Sequence, residues 1–458
     1  MKEKKILIGT ALALLLLLTT GLSYAYFSAS VKGNDNAKDM VVEAGTLKLS
    51  YTDGPAINAQ NIKPGWTTTK TVSVKNNGTL DTAYNIVWQE LTNTILKNEL
   101  VLSATCKRLN ESGAVEGTCE PITELPVRAK RIAKNISIES GFTHEYTFTF
   151  LFKETNESQN YNQGKQFNGV LGIEEYKDTT VYCTYDGELT QGATFTKGDF
   201  TYKYMQESRY INMEEFSWEN MTDDGWGVSV TNRDSINQID ASEVCTYIND
   251  KPITSMYGMF GESKSKSINL LNLDTSNVTR MDFMFYNAKA TTLDLSDFDT
   301  SNVSSMTYMF WYSQATTLNL SSFDTKNLTS MYGMFENSKA STIDGLNNLN
   351  TSNVSTFTYM FRDSIVKELN LSSFDTDKVK FMNHMFFGAS NLKTIYVSNN
   401  FIIDKLDWAG KDYLFDGCTS LVGGAGTTYD SNHVDSEYAR IDGGEANPGY
   451  FTDIADKK

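Results

Sequence analysis

Met306-Thr-Tyr-Met-Phe310 is one of seven copies of a short segment in the second half of the chain. The others are Met256-Tyr-Gly-Met-Phe260, Met281-Asp-Phe-Met-Phe285, Met331-Tyr-Gly-Met-Phe335, Phe357-Thr-Tyr-Met-Phe361, Met382-Asn-His-Met-Phe386 and a degenerate copy ending Tyr413-Leu-Phe415. The closing phenylalanines are 25, 25, 25, 26, 25 and 29 residues apart. A nearly fixed period of this length indicates a solenoid, in which each repeat is one structural unit.

Each repeat combines a strand pattern with a helix pattern. Leu293 and Leu295 flank Asp294, which predicts a short strand with two inward residues. Turn residues recur after it, as aspartate or asparagine at 274, 299, 324, 350 and 375. Apolar residues over Val303–Phe310 then have helical spacing, i, i+3, i+6 and i+7. We therefore predict an α/β solenoid of leucine-rich-repeat type over residues 252–423, with repeats of 25 residues.

The methionines and the last cysteine are interpreted as core residues. Methionine at this spacing fills gaps between stacked repeats, an interpretation that we favour over a metal or haem site. Cys418 lies three residues after Phe415, where other repeats have small residues such as Ser263 and Ala288. We therefore expect a packed thiol there and not a nucleophile.

The residue between the two inward strand positions is polar in five repeats. These residues are Asn269, Asp294, Asn319, Asp344 and Asn370. Adjacent strands lie about 4.8 Å apart, so the side chains are expected to form a polar ladder on the sheet face. That face is a candidate ligand-binding surface, because solenoids offer extended surfaces. The alternative is a ladder that is solvated or hydrogen-bonded to itself, and the sequence leaves both open.

The repeats resemble the BspA-type leucine-rich repeats of bacterial surface proteins. The phrases that carry the resemblance are Leu293-Asp-Leu-Ser-Asp-Phe-Asp-Thr-Ser-Asn-Val303, Leu318-Asn-Leu-Ser-Ser-Phe-Asp-Thr-Lys-Asn-Leu328 and the closing Asn447-Pro-Gly-Tyr-Phe-Thr452. It covers about 252–452 and implies adhesion to host matrix proteins, epithelium or other bacteria. The family defines no universal binding residues, so none is carried over.

The N-terminus has the pattern of a secretory signal peptide. Met1–Lys5 is basic, Ile6–Thr20 is apolar, and Ser23-Tyr-Ala25 places small residues where a signal peptidase acts. We expect residues 1–25 to be removed, with an uncleaved membrane anchor as the alternative. Either way the protein is expected to be secreted or displayed at the cell surface. The polar end Asp453–Lys458 carries no wall-sorting signal, so covalent wall anchoring is not expected.

Residues 26–176 are predicted to be all-β. Tyr146, Phe148, Phe150 and Phe152 alternate with other residues, which places the large rings on one face of a strand. Turn signals such as Lys63-Pro-Gly65 separate the short runs. Many short strands with frequent turns favour a two-sheet sandwich or jelly roll.

This region resembles the TasA/camelysin family of secreted Gram-positive jelly-roll proteins. The shared segments are Ser23-Tyr-Ala-Tyr-Phe27, Ala44-Gly-Thr-Leu-Lys-Leu49, Asn61-Ile-Lys-Pro-Gly65 and Val74-Lys-Asn-Asn-Gly-Thr79. The resemblance implies biofilm-matrix fibres built by donation of the N-terminal strand to the next subunit. The candidate donor strand is Tyr26–Val31, with Phe27 and Val31 as anchors. The alternative is that this strand folds back into its own domain.

Four cysteines are candidates for disulfides in an exported protein. Cys106 and Cys119 are close in sequence, and Cys183 with Cys245 is the next plausible pair. The second pair would staple residues 177–251, a connecting module predicted to cap the first repeat. Residues 424–458 are predicted to form the C-terminal cap and tail.

Composition excludes several functions. The chain has 40 basic and 56 acidic residues, a net charge of −16 that argues against nucleic-acid binding. Its three histidines, His144, His384 and His433, lie far apart in sequence, so no metal site or cofactor is expected. Some camelysin-like proteins are described as proteases, but His144 stands alone and that activity is not carried over. No nucleophile motif occurs, and an enzyme is not expected.

The sequence therefore predicts a secreted or cell-surface adhesin that displays its solenoid to extracellular proteins or glycans of a host or of neighbouring bacteria. The alternative is a structural subunit of a biofilm matrix that self-associates through its N-terminal strand.

Overall fold

The computed structural model describes residues 27–33, 49–205 and 224–457. Within these ranges it leaves out 94, 96–98, 128–130, 156–158, 160–161, 164 and 177–179. The predicted signal peptide, residues 1–25, and Tyr26 of the candidate donor strand lie outside the described residues. No helix within the described part has the length and apolar character needed to cross a bilayer. The chain divides into two compact units, 1–177 and 178–458.

The N-terminal unit contains ten described strands. They are β1 (Phe27–Gly33), β2 (Leu49–Asp53), β3 (Ile57–Ile62), β4 (Thr67–Asn76), β5 (Thr82–Asn93), β6 (Leu100–Leu109), β7 (Ile122–Pro126), β8 (Arg131–Ile138), β9 (Thr143–Phe152) and β10 (Gln166–Glu175). They form two five-stranded sheets, β3-β1-β10-β5-β8 and β2-β4-β9-β6-β7. Buried residues of both sheets form one hydrophobic core. The all-β prediction is confirmed for this unit, whereas a jelly roll is not.

The alternation of large aromatic residues with other residues along β9 contributes four rings to this core. Tyr146, Phe148, Phe150 and Phe152 are all buried, and the residues between them are not. Trp88 of the facing sheet contacts Phe150, with ring centroids 6.2 Å apart. The period-two pattern therefore predicted the buried face of this strand correctly.

Strand β1 lies inside a sheet of its own unit. It pairs in parallel with β10 and antiparallel with β3. The chain therefore adopts the fold-back arrangement that was the alternative to donation. Donation to a second copy stays a prediction.

The second unit begins with a six-stranded sheet, of order β11-β16-β17-β14-β13-β12. Its strands are β11 (Tyr182–Cys183), β12 (Thr194–Lys197), β13 (Phe200–Met205), β14 (Gly225–Val230), β16 (Tyr247–Ile248) and β17 (Lys251–Ser255), and β15 (Ile239–Asp240) lies outside it. Trp226 and Tyr202 of this sheet are buried in the same hydrophobic cluster as the repeats. This continuity is what a cap on the first repeat requires.

Short strands and 3₁₀ helices mark the rest of the unit. The strands are β18 (Ile268–Asn269), β19 (Thr317–Asn319), β20 (Thr342–Asp344), β21 (Glu368–Asn370), β22 (Thr394–Val397) and β23 (Thr452–Asp453). The 3₁₀ helices are Leu346–Asn348, Trp408–Gly410, Ser436–Tyr438, Gly444–Ala446 and Ile454–Asp456. The repeats therefore form a β-solenoid.

Both expected disulfides are present, Cys106–Cys119 and Cys183–Cys245. Cys418 is a buried free thiol that donates to the carbonyl of Phe386 at 3.0 Å. Burial raises the pKa of the Cys418 thiol to about 12, so the group is a neutral packed side chain.

The Met-x-x-Met-Phe segments are stacked turns. Alternate N–H groups donate to carbonyls of the next repeat: Met281 to Ser305, Phe283 to Thr307, Phe285 to Met309 and Asn287 to Trp311, at 2.7–3.1 Å. The N–H groups between them, of Met284, Tyr286 and Ala288, donate to the carbonyl three residues earlier.

The predicted helix over Val303–Phe310 is therefore wrong. Tyr308 has a φ of 56°, which no right-handed helix contains. Methionines three residues apart share one side of a tight turn as well as of a helix, which explains the misassignment. The α/β leucine-rich-repeat character is not confirmed, although the inward Leu293 and Leu295 and the exposed Asp294 are oriented as predicted.

A column of stacked phenylalanines runs through the solenoid core. It consists of Phe260, Phe285, Phe310, Phe335, Phe361, Phe386 and Phe415. Neighbouring ring centroids are 5.4–5.9 Å apart and their planes lie within 12° of parallel. The regular spacing follows from the hydrogen bonds that join successive repeats.

A buried threonine in each turn also joins one repeat to the next. Thr300 Oγ1 donates to the carbonyl of Asp324 at 3.0 Å and accepts the N–H of the same residue at 2.8 Å. The same pair of bonds is made by Thr275, Thr325 and Thr351. Each hydroxyl thus satisfies two main-chain groups that are shielded from water.

Replacement Thr300→Val tests this ladder. Valine has the shape of threonine but leaves both main-chain groups of Asp324 without their partner, so the free energy of unfolding should fall by about 1–3 kcal/mol. Urea unfolding followed by circular dichroism measures the loss. The matched control is Thr292→Val, at an exposed threonine. Equal stability of the two variants would contradict this role.

Candidate functional site

Four of the five polar residues predicted on the sheet face cap their own turns. The side-chain oxygen of Asn269, Asp294, Asn319 and Asn370 accepts the N–H of the residue two positions later, at 3.0–3.2 Å. Asn269 also donates to Asp240 at 3.0 Å. Asp344 is exposed and pairs by backbone register with Asn319. The role of all five residues in binding stays a prediction, and the capping bond accounts for a polar residue at four of these positions.

A different surface of the solenoid carries a continuous row of aromatic rings. We call this row the aromatic ladder, and it consists of Tyr257, Phe283, Tyr308, Tyr332, Tyr359, His384 and Tyr413. Each ring contacts the next, with centroids 5.1–5.4 Å apart over all six steps. Tyr257 is buried, the next five members are half-buried, and Tyr413 is 50% exposed. From Phe283 onward the ladder thus supplies one partly accessible ring per repeat.

The left-handed turn residue explains why the rings align. Phe283, Tyr308 and Tyr359 occupy this position with φ near 60°. In two repeats the position is glycine, at Gly258 and Gly333, and the tyrosine precedes it. A Cβ at Gly333 would lie 2.2 Å from the Tyr308 ring. Where the left-handed residue is glycine, the preceding tyrosine supplies the ring instead, so the ladder stays continuous.

Additional rings widen the ladder at its centre. Trp311 contacts Tyr286 at 4.8 Å and Tyr308 at 4.6 Å between centroids. Tyr312, which is 42% exposed, lies 5.5 Å from Trp311. Aromatic groups combine a large apolar area with few rotatable bonds, which suits them to ligand contact.

Sequence reasoning missed this surface. The helix prediction would have placed the residues between the methionines on different faces. The signal that was available is a ring at one of two adjacent positions in every repeat, with tyrosine at the first position in the two repeats that have glycine at the second. Left-handed backbone favours glycine, and the ring at the neighbouring position compensates for its missing side chain.

One acidic residue next to the ladder is buried. Glu336 is 6% exposed, and its Oε1 lies 3.6 Å from Nη1 of Arg362. The Arg362 guanidinium also lies over the rings of Tyr359 and Phe387, at 5.0 and 5.3 Å. Burial raises the pKa of Glu336 to about 7, more than the nearby Arg362 lowers it.

Replacement Glu336→Gln should alter the pH dependence of stability. Between about pH 4.5 and about pH 7, native Glu336 holds a proton that the unfolded chain has released. Wild-type stability therefore falls as pH rises through this window. The variant lacks this decline and should exceed wild type above pH 7 by roughly 1–3 kcal/mol.

Chemical unfolding at pH 4.5, 6 and 8 measures the effect of this substitution. Replacement of the exposed Glu243 by Gln makes the same chemical change at the surface and is the control. Parallel profiles for wild type and Glu336→Gln would show that burial of Glu336 has no such effect.

In the N-terminal unit the structure brings together three residues that are separate in sequence. The ligand atoms of Cys106, Cys119 and His144 all lie within 4.8 Å of one another. The prediction that His144 stands alone is therefore wrong. Burial lowers the pKa of His144 to about 4, and its Nδ1 is hydrogen-bonded to the Tyr84 hydroxyl at 2.9 Å. The two sulfur atoms are joined in a disulfide, however, and offer no thiolate to a metal.

Two family models match parts of the chain. The family described as "Mycoplasma protein of unknown function, DUF285" matches residues 234–344 and 319–401. The family described as "Camelysin metallo-endopeptidase" matches residues 2–99. No curated protein matches the chain. These likenesses are compatible with a surface-associated protein. They do not confirm the resemblance to BspA-type leucine-rich repeats.

The residues present do not fit a zinc peptidase. Residues 2–99 contain no histidine and no cysteine, which are the usual zinc ligands besides carboxylates. The Cys106, Cys119 and His144 group lies outside that match and is closed by its disulfide. The absence of enzymatic activity stays a prediction.

Chelation is expected to leave the disulfide-bonded protein unchanged. Because the Cys106–Cys119 sulfurs are not available, treatment with EDTA should not shift the thermal midpoint, and added zinc should not produce cleavage of casein. Differential scanning fluorimetry measures the thermal midpoint, and gel electrophoresis measures cleavage of casein. A zinc-dependent cleavage that His144→Ala abolishes would contradict this conclusion.

Proposed function

We propose that the chain is a secreted or surface-displayed binding protein whose aromatic ladder contacts an extracellular ligand. The observation that supports this most is the unbroken row of rings, one per repeat, on an accessible side of the solenoid. A packed core does not require an aromatic residue at this outer position. Two disulfides and the family likenesses are compatible with a role outside the cell.

The periodic ladder suits a polymeric ligand. Ring spacings of 5.1–5.4 Å offer repeated contacts to an extended chain, although the planes of successive rings differ by 30–82°. Multiple weak contacts along one ligand add to a high overall affinity. Glycans or proteins of host or bacterial surfaces, which the adhesin prediction names, are ligands of this kind.

The experiment compares the two surfaces of the solenoid. One variant combines Tyr308→Ala, Tyr332→Ala and Tyr359→Ala on the ladder. The matched control combines Asp294→Ala, Asn319→Ala and Asp344→Ala on the sheet face. The probes are a glycan array and immobilised fibronectin and collagen.

Loss of the three rings should weaken binding at least tenfold, because central aromatic contacts contribute about 1–2 kcal/mol each. The sheet-face variant should bind like wild type. The reverse pattern would assign binding to the polar residues, and no binding by wild type to any probe would contradict the proposal.

A matrix subunit is a second candidate, for which the position of β1 is the specific observation. This strand lies between β3 and β10, so its removal leaves two strand edges open. The β1 of a second copy could fill that place with the same register. Sedimentation of the chain from Tyr26 and of a chain from Ala44, at rising concentration, tests this. Filaments from the longer chain alone would support strand donation.

A further inference from the structure

A cavity of about 280 Å³ opens at the first rung of the aromatic ladder. Tyr257, Phe283 and Tyr286 supply its rings, and Arg233 and Glu262 supply its charged groups. Its size is just below the range typical of pockets for drug-sized molecules. The cavity thus has room for one ring-sized unit of a larger ligand.

Two glycines create this cavity. Gly258 and Gly261 occupy positions at which the next repeats have Phe283 and Tyr286, then Tyr308 and Trp311. A Cβ built at Gly258 meets no atom within 4 Å. The first repeat keeps the ladder ring of Tyr257 but therefore lacks the two rings that the next repeats have at the positions of Gly258 and Gly261.

The polar side of the cavity is fixed by Arg233. Its guanidinium donates to the carbonyl of Gly258 at 2.9 Å and to the carbonyl of Gly261. These bonds use two of the five N–H donors of arginine. The exposed carboxylate of Glu262 adds acceptors beside it. The cavity is thus lined by hydrogen-bond donors, acceptors and ring faces, and by one cationic and one anionic side chain.

We propose that this cavity binds one pyranose ring of a neutral glycan. A pyranose presents apolar C–H groups on its faces and hydroxyls around its rim. Its C–H face would pack on Phe283 or Tyr286, and its hydroxyls would bond to Arg233 and Glu262. The proposal rests on the proposed function, because the remaining sugar units would extend along the aromatic ladder.

A peptide fits this cavity less well. Peptide recognition by strand addition needs free main-chain groups at an edge. Here the N–H groups of Gly258 and Glu262 already donate to Asp282 and Tyr286 of the next repeat, at 2.8 and 2.6 Å. The Gly258 and Gly261 carbonyls accept from Arg233. The main chain therefore offers no edge to a peptide.

The test fills the cavity in the full chain. Gly258→Tyr introduces a ring at a φ of 56°, which Phe283 and Tyr308 adopt at the equivalent positions with 57° and 56°. Gly198→Tyr makes the same substitution at a glycine outside the cavity, also with a φ of 56° and with no atom within 4 Å of an added Cβ, and is the matched control. Circular dichroism and the thermal midpoint verify that both variants fold like wild type.

Calorimetry and saturation-transfer NMR then measure binding of N-acetylglucosamine trisaccharide, cellotriose, mannotriose and a neutral tripeptide. Wild type should bind at least one trisaccharide. Gly258→Tyr should weaken that binding at least tenfold, and Gly198→Tyr should stay within twofold of wild type. Binding of the tripeptide alone, binding of no saccharide, or equal affinity of all three proteins would overturn the proposal.

The triple ring variant distinguishes failure of the cavity proposal from failure of the proposed function. If Gly258→Tyr binds array glycans like wild type while the triple ring variant does not, the ladder binds and the cavity does not. If Gly258→Tyr loses the trisaccharide while the triple ring variant keeps all binding, the cavity is a site and the ladder is not.

Discussion

The hydrogen bonds between successive repeats are the interaction on which the solenoid depends. In each Met-x-x-Met-Phe segment, alternate N–H groups donate across to the next repeat and the others close tight turns within their own. This pattern requires left-handed backbone at the residue before the second methionine, or its equivalent. It also sets the spacing of 5.4–5.9 Å at which the core phenylalanines stack. Buried threonines add a second set of bonds along the same axis.

The same constraint generates the outer surface. Because the left-handed residue lies outside the core, its ring or that of its neighbour is presented once per repeat, and the aromatic ladder results. A change from ring to glycine moves the ring by one residue, as at Gly258 and Gly333, and where a second glycine follows at Gly261 it also leaves a cavity. The binding surface is therefore a consequence of how the repeats stack.

Much of this architecture could be predicted from the sequence. The 25-residue spacing, the buried Met and Phe positions and the place of Cys418 follow from residue patterns. The two disulfides were candidate pairs, and the structure contains both. The stacked turns could not be predicted, because methionines at i and i+3 fit a helix equally well and a sequence does not reveal φ. The contact of Cys106 and Cys119 with His144 depends on the register of β6 against β9, which pairs Arg108 with His144 and Cys106 with Tyr146. Local patterns do not specify that register.

The most direct test detects which carbonyl accepts the N–H of Phe310. Protein labelled with ¹⁵N-phenylalanine and ¹³C-carbonyl methionine shows through-hydrogen-bond coupling in NMR spectra. Stacked turns predict coupling from Phe310 to Met334, across 2.9 Å to the next repeat. That signal should vanish in Met334→Leu and persist in Met306→Leu. Coupling to Met306, four residues earlier, would show an α-helix and contradict the stacked-turn solenoid.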